Sequence, residues 1–148
     1  MKKRVVVTGL GVVSPLGSDL DNLWSGLTSG RSGVGPITQF DASEFPVQFA
    51  AEAQGFHPEP FIHAKELKKL DRFLQFALVA GKSALADSGL EITDENREDI
   101  AIFVGSGVGG LASIIEGSES LVERGPRKIS VFTIPKILIN LASGHLSL

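Results

Sequence analysis

Two hydrophobic periods alternate along this chain. Val5 to Thr8 is a short β-branched run closed by Gly9, the pattern of a buried parallel strand feeding a turn. Gly11 to Ser18 reads as loop. Ser18 or Asp19 is placed to cap a helix whose apolar residues, Leu20, Leu23, Trp24 and Leu27, recur three and four apart until Gly30. Residues 31–46 carry Gly33, Gly35, Pro36 and Pro46 and read as irregular, while Val47 to Ala53 alternates weakly, as an edge strand would. The strongest helical pattern covers Arg72 to Ser88. Phe73, Phe76, Ala77, Ala80 and Ala84 lie along one side and Leu74, Leu78 and Leu85 along another, with Gly89 to close it. Apolar nearly all round, this helix is expected at the centre of the fold. After a charged connection from Glu91 to Asp99, Ile100 to Val104 forms a continuous apolar run, expected as a strand covered on both faces. Gly105 to Gly110 then leads into a helix from about Leu111 to Glu123. A last helix is predicted to begin at Pro135, where a missing amide costs nothing, and to cover Ile137 to Ala142 before Gly144. Strand and helix in alternation define an α/β class.

Composition adds a question of coverage. The 148 residues are within the range of one domain, but 43% are hydrophobic and only 21% charged, with a mean hydropathy of +0.18. A free domain of this size buries only about 70% of the surface its unfolded chain exposes, so much of it must stay wettable. The closing run from Ile129 to Leu148 is apolar and has no polar tail, whereas chain ends ordinarily close with solvated residues. The expectation is a fold interrupted at Leu148 and covered by further sequence or by a partner. Alone, it should aggregate or dimerise through an exposed apolar patch. A compact α/β domain whose parallel strands are apolar on both faces is the alternative. There is no internal repeat and no low-complexity tract.

Several function classes are excluded or left incomplete. The chain has no cysteine, so it holds no disulfide, thiolate zinc site or cysteine nucleophile. His57, His63 and His145 stand in no metal-ligand or triad spacing; the first two read as surface residues, and His145 as a buried, hydrogen-bonded residue or a chemical one. No complete catalytic set is present. The basic start Met1-Lys2-Lys3-Arg4 precedes a run too short and glycine-rich for a signal peptide, and no apolar run approaches the roughly 20 residues that span a bilayer. A net charge of -3 argues against nucleic-acid binding. A soluble, cytoplasmic protein is the default expectation, or an organellar one whose transit peptide is absent from these residues.

Two constellations remain. Gly105-x-Gly107-x-x-Gly110 stands between strand and helix, as a dinucleotide-binding fingerprint would, with pyrophosphate held on helix N-terminal amides. Against that, no strand with a ribose-binding acid follows, and this strand does not open the first βαβ unit. The other reading is structural: the glycines allow tight turns and close packing. Lys65, Lys68 and Lys69 are spaced to share one face if His63 to Leu70 is helical, and Arg127-Lys128 adds a second pair. They read either as a solvated face or as a docking site for an acidic partner.

Several of these motifs in combination resemble a known family. Val5-Val6-Val7-Thr8-Gly9-Leu10-Gly11 with Ser14-Pro15-Leu16-Gly17, Asp87-Ser88-Gly89-Leu90, Gly105 to Leu111, Pro126-Arg127-Lys128-Ile129-Ser130 and Asn140-x-x-x-Gly144-His145 look like the N-terminal third of a β-ketoacyl-acyl carrier protein synthase of the second type. The resemblance covers the whole chain. It implies part of the N-terminal half of a thiolase-like αβαβα fold, with residues 1–148 an incomplete synthase domain interrupted before the nucleophile segment. It implies an acyltransferase of fatty acid elongation, a homodimer that needs no cofactor, with acyl- and malonyl-loaded carrier protein as partners. The reactive cysteine and two histidines are expected beyond Leu148, so the 148 residues alone should be inactive. Lys65, Lys68, Lys69, Arg127 and Lys128 fall where the family meets its acidic carrier protein. Val108 and Leu111, with Ile134 reached across the dimer, fall where the acyl chain is housed. The chain departs from the pattern at Val131 and Thr133, where proline and a second phenylalanine are usual. Two other readings stay open: a non-catalytic synthase-like subunit that docks carrier protein or caps a dimer, and a nicotinamide dinucleotide-binding domain.

Overall fold

The computed structural model describes residues 3–148; the basic start at Met1 and Lys2 lies outside them. Among the described residues six α-helices carry the fold: α1 (Leu20–Thr28), α2 (Ala64–Leu67), α3 (Arg72–Ser88), α4 (Leu111–Arg124), α5 (Thr133–Ile137) and α6 (Leu141–Leu146). A two-residue antiparallel ladder joins β1 (Gly35–Pro36) to β2 (Phe49–Ala50). Helix α3 has the bounds its pattern predicts. Asp71 caps it at one end, and Gly89 closes it at the other in the left-handed conformation, φ 63°, where a side chain is disfavoured.

That central helix organises the core. Leu74, Leu78 and Val79 of α3 are buried with Ile62, Leu70 and Ala142, and Leu74 is 0% exposed. Helix α6 packs along α3, with Leu146 seated over Gly81. On another side of α3, Gly9 and Gly11 lie directly on its backbone. A Cβ at Gly11 would collide with the Ala80 carbonyl and come within 2.5 Å of the Ala84 nitrogen, while one at Gly9 would meet the Ala84 carbonyl and the Ser88 nitrogen. Ala80, Ala84 and Ser88 recur every four residues and form the flat strip on which the N-terminal segment rests. The Leu10 amide donates to Asp87 Oδ2 at 2.8 Å and pins that segment alongside.

Three expectations are corrected, and one predicted helix forms but stays largely uncovered. Val5 to Thr8 and Ile100 to Val104 are not strands among the described residues: neither joins a ladder, Val5 is 95% exposed and Phe103 91%. An apolar run of this kind becomes a strand only when neighbouring strands take up its amides and carbonyls, and the one ladder here lies elsewhere. Helix α1 forms where expected, capped by Asp19 on the Asn22 amide, but Trp24 and Leu27 on its apolar face remain exposed and only Gly26 is buried. The segment read as irregular contains β1, which pairs with the predicted edge strand. Finally, the single helix expected from Pro135 is two. Helix α5 starts at Thr133, places Pro135 in its first turn and ends at Ile137; Leu138 turns extended, and α6 then runs through Gly144. The break falls where Gly109 and Gly110 approach the carbonyls of Ile137 and Lys136, and Gly110 donates its amide to the Ile137 carbonyl at 3.5 Å. A tertiary contact has taken the Ile137 carbonyl that a continuous helix would have used.

The hairpin region is held by a polar clamp. Glu52 accepts from the Thr38 hydroxyl at 2.6 Å and from the amides of Thr38 and Gln39. These bonds, the Thr38 hydroxyl foremost, hold the Glu52 carboxyl below the ordinary glutamate value of 4.5. A carboxyl depressed by folding contributes stability above its unfolded value and loses it as the pH falls through the folded one. Acid unfolding of the wild-type chain should therefore include a step below pH 4.5 that Glu52→Gln removes, measured as the pH dependence of the unfolding midpoint.

Candidate docking surface and apolar groove

The basic residues fall in two groups, one on and just after α2 and the other in the 3₁₀ turn Pro126–Lys128. His63 caps α2, its Nδ1 accepting from the Lys65 amide at 3.2 Å. Helix α2 is only four residues long, so the face predicted across His63 to Leu70 is carried by a helical turn plus the turn that follows. Lys65 and Lys68 are exposed, while Lys69 is half-buried and pairs with Glu66 at 2.8 Å. That bond holds the Glu66 carboxyl below the ordinary range, against a smaller opposing effect of desolvation. The Lys69 ammonium also lies 5.9 Å from the centre of the Phe132 ring, a cation–π contact. Phe132 follows the short 3₁₀ turn Pro126–Lys128 and precedes α5. Lys69 thus links the first basic group to the segment that follows Arg127 and Lys128. Among the described residues, Lys65, Lys68, Arg127 and Lys128 form no ion pair.

Lys128 also lines a polar cleft of about 300 Å³ between α4 and α5, together with Glu116, Glu119, Glu123, Arg124 and Lys136. The apolar residues are arranged differently. Val108 lines an open groove of about 590 Å³ with Val104, Ile114, Ile137, Leu138 and Ile139, and the polar Asn140 and Ser143 line it too. Leu111, the first residue of α4, and Ile134, on α5, are exposed and lie outside that groove. The chain brings Val108 together with the Ile137–Ile139 bend. The bend escaped sequence reasoning because the pattern placed it inside a helix.

The glycine loop is not a phosphate cradle. Helix α4 begins at Leu111 after Gly110, which has no side chain to cap it, and the free end is occupied by Asp71: its Oδ2 accepts from the Ser113 amide at 3.2 Å and the Ser113 hydroxyl at 2.6 Å. A carboxylate already in the helix N-terminus repels the pyrophosphate that a fingerprint would place there. The dinucleotide reading fails on this contact. Gly109 and Gly110 serve close packing against the Ile137 bend, which is what the structural reading expected of Gly110, whereas a Cβ at Gly105 or Gly107 would meet no atom within 4 Å. Asp71 itself was missed by sequence reasoning; its position just before the strongest helix is the signal for a cap, but nothing in spacing shows that it caps α4 as well. His57 and His63 are exposed, the latter as a helix cap, and His145 is half-buried in α6. Among the described residues, no helix is long and apolar enough to cross a membrane.

The helical scaffold around one central helix is similar to the N-terminal portion of thiolase-fold ketosynthases. The ishigamide ketosynthase/chain length factor superposes with a TM-score of 0.80 at 30% identity, over 96% of this chain and 36% of that one. A type II PKS acyl-carrier protein in complex with its ketosynthase bound to the hexaketide matches with a TM-score of 0.71 at 25% identity, over 99% of this chain and 40% of that one. The chain belongs to the β-ketoacyl synthase family: the family model for the Beta-ketoacyl synthase, N-terminal domain, matches residues 2–148. In sequence it is 49% identical to 3-oxoacyl-[acyl-carrier-protein] synthase 2 of Coxiella burnetii over 99% of its length, and it spans 36% of that relative.

Proposed function

We propose that these residues are the N-terminal part of a 3-oxoacyl-acyl carrier protein synthase, which extends a fatty acyl chain by decarboxylative Claisen condensation. The observation that carries this reading is the 49% identity to such a synthase across nearly the whole chain; the paired basic and apolar surfaces agree with it. In this reading a cysteine beyond residue 148 displaces the carrier thiol and takes the acyl group as a thioester. Malonyl-carrier protein then loses CO2, and the resulting enolate attacks the thioester carbonyl and expels the cysteine thiolate. A helix N-terminus lowers the thiol pKa, and two further histidines assist decarboxylation and stabilise the developing oxyanion. The residues present supply binding. Lys65, Lys68, Lys69, Arg127 and Lys128 meet the acidic carrier, and Val108, Leu111 and a partner's counterpart of Ile134 house the acyl chain. No cofactor enters the reaction, and the setting is cytoplasmic.

The test is the full-length protein incubated with acyl- and malonyl-carrier protein. One CO2 should be released for each 3-oxoacyl-carrier formed. Carrier binding without product would instead make the protein a docking subunit of a synthase, and absence of both would sink the reading. The same proposal makes the parent enzyme a homodimer, which would cover apolar side chains left exposed here, including Phe103, Leu111, Ile115 and Ile134. Light scattering of the 148-residue chain should show dimers or larger species, and a monodisperse monomer would contradict it.

A further inference from the structure

Asp71 and Ser113 are the buried polar residues of the fold, 8% and 6% exposed, among the described residues. They touch each other, although 42 positions separate them. One carboxylate serves two helices. Oδ1 accepts from the Phe73 amide at 3.2 Å and closes the first turn of α3, while Oδ2 takes both the amide and the hydroxyl of Ser113 in the first turn of α4. Bonds to an ionised acceptor are stronger than neutral ones, and in a buried site the donors have no water to replace a lost partner. Gly110 completes the fit, since a Cβ there would stand 3.0 Å from Oδ2 and 2.5 Å from the Lys136 carbonyl.

The location gives the contact its meaning. Asp71 stands two residues after Lys69, at the end of the basic turn, and Leu70 between them is buried in the core. Ser113 stands two residues after Leu111, and the loop before it carries Val108. We infer that Asp71 is a positioning residue, holding the glycine loop and the first turn of α4 in register with the basic turn. The acyl-housing surface built on Val108 and Leu111 is thereby shaped from the docking side. Asp71 acts through Ser113 and Gly110 rather than on substrate, and its link to acyl recognition rests on the function proposed above.

Two substitutions in the full-length protein test this. Asp71→Asn keeps size but removes the charge; Ser113→Ala removes only the hydroxyl bond and leaves the α3 cap intact. Asp71→Asn, which weakens the acceptor of the residue-113 amide, should speed amide exchange at position 113 about tenfold, and Ser113→Ala, which keeps that bond, by less, while exchange in the middle of α3, Leu78 to Ala84, is unchanged in both. Both should also reduce the preference for long-chain acyl-carrier over unloaded carrier by about tenfold, with affinity for unloaded carrier within about twofold of wild type. A merely structural role would weaken both carrier forms together. Unchanged exchange at Ser113, a preserved preference or equal weakening of both forms overturns the inference. If the unsubstituted protein binds neither carrier form, the functional proposal falls. Exchange at Ser113 and the effect of the two substitutions on binding of a free long-chain fatty acid then decide the positioning role alone.

Discussion

Charge reversal at Lys65 and Lys68 together is expected to weaken carrier-protein binding by about 100-fold at low salt, because like charges brought face to face cost several kcal/mol. These two positions are chosen over Lys69 on the geometry. Lys69 already spends part of its charge on Glu66 and lies against Phe132, so its replacement would disturb the 130–133 segment as well as the field. Lys65 and Lys68 project into solvent, and their loss changes the electrostatics with little effect on packing. The effect should shrink with salt, since the distance over which charges are felt falls from about 10 Å at 0.1 M to about 3 Å at 1 M. Arg97→Glu is the control for a charge reversal elsewhere on the surface: Arg97 is an exposed residue at the start of the 3₁₀ turn Arg97–Asp99, paired with Asp94. It should leave affinity within about twofold. Calorimetric titration at two salt concentrations reads all of this. Equal weakening by the control, or a double reversal without effect at low salt, would remove the docking role from this face.

Gly11→Ala carries the second large effect, a destabilisation of about 2–3 kcal/mol from overpacking. The new methyl has nowhere to go. Its neighbours are the carbonyl of Ala80 and the nitrogen of Ala84, which are helix backbone and cannot rotate aside as a side chain would. The N-terminal segment must lift off α3, taking Val13 away from the core it packs against. For a domain of this length the unfolding midpoint should fall by roughly 6–9 °C. Gly105→Ala and Gly107→Ala provide the contrast, because no atom lies within 4 Å of the Cβ either would add. Both should stay within about 0.5 kcal/mol of wild type. A Gly11→Ala protein that melts with the wild type would show that the N-terminal segment does not rest on α3 as described.

The two glycine motifs therefore differ in what they do. Gly9-x-Gly11 lets a segment lie on a helix backbone. In the loop, Gly109 and Gly110 let the backbone approach the Ile137 bend, while Gly105 and Gly107 face open space. All of them look alike in sequence, because a missing side chain leaves no mark of what it makes room for.

Local physics was legible in the chain itself. The bounds of α3, its closing Gly89 and the Asp19 cap of α1 follow from side-chain period and capping chemistry, which act over one or two turns. The family, too, could be read from spaced motifs, since their combination is specific even where each is weak. What tertiary structure alone decided involves residues far apart in number. Val5 to Thr8 and Ile100 to Val104 carry strand composition, but a strand exists only where neighbours accept its hydrogen bonds. The helix expected from Pro135 divides because the glycine loop, nearly thirty residues earlier, takes the Ile137 carbonyl. Asp71 reaches past its own helix to cap α4, which both closes the site a phosphate would need and ties the basic turn to the apolar loop. Period and propensity cannot encode such contacts, because their energy depends on where two separately formed elements come to rest against each other.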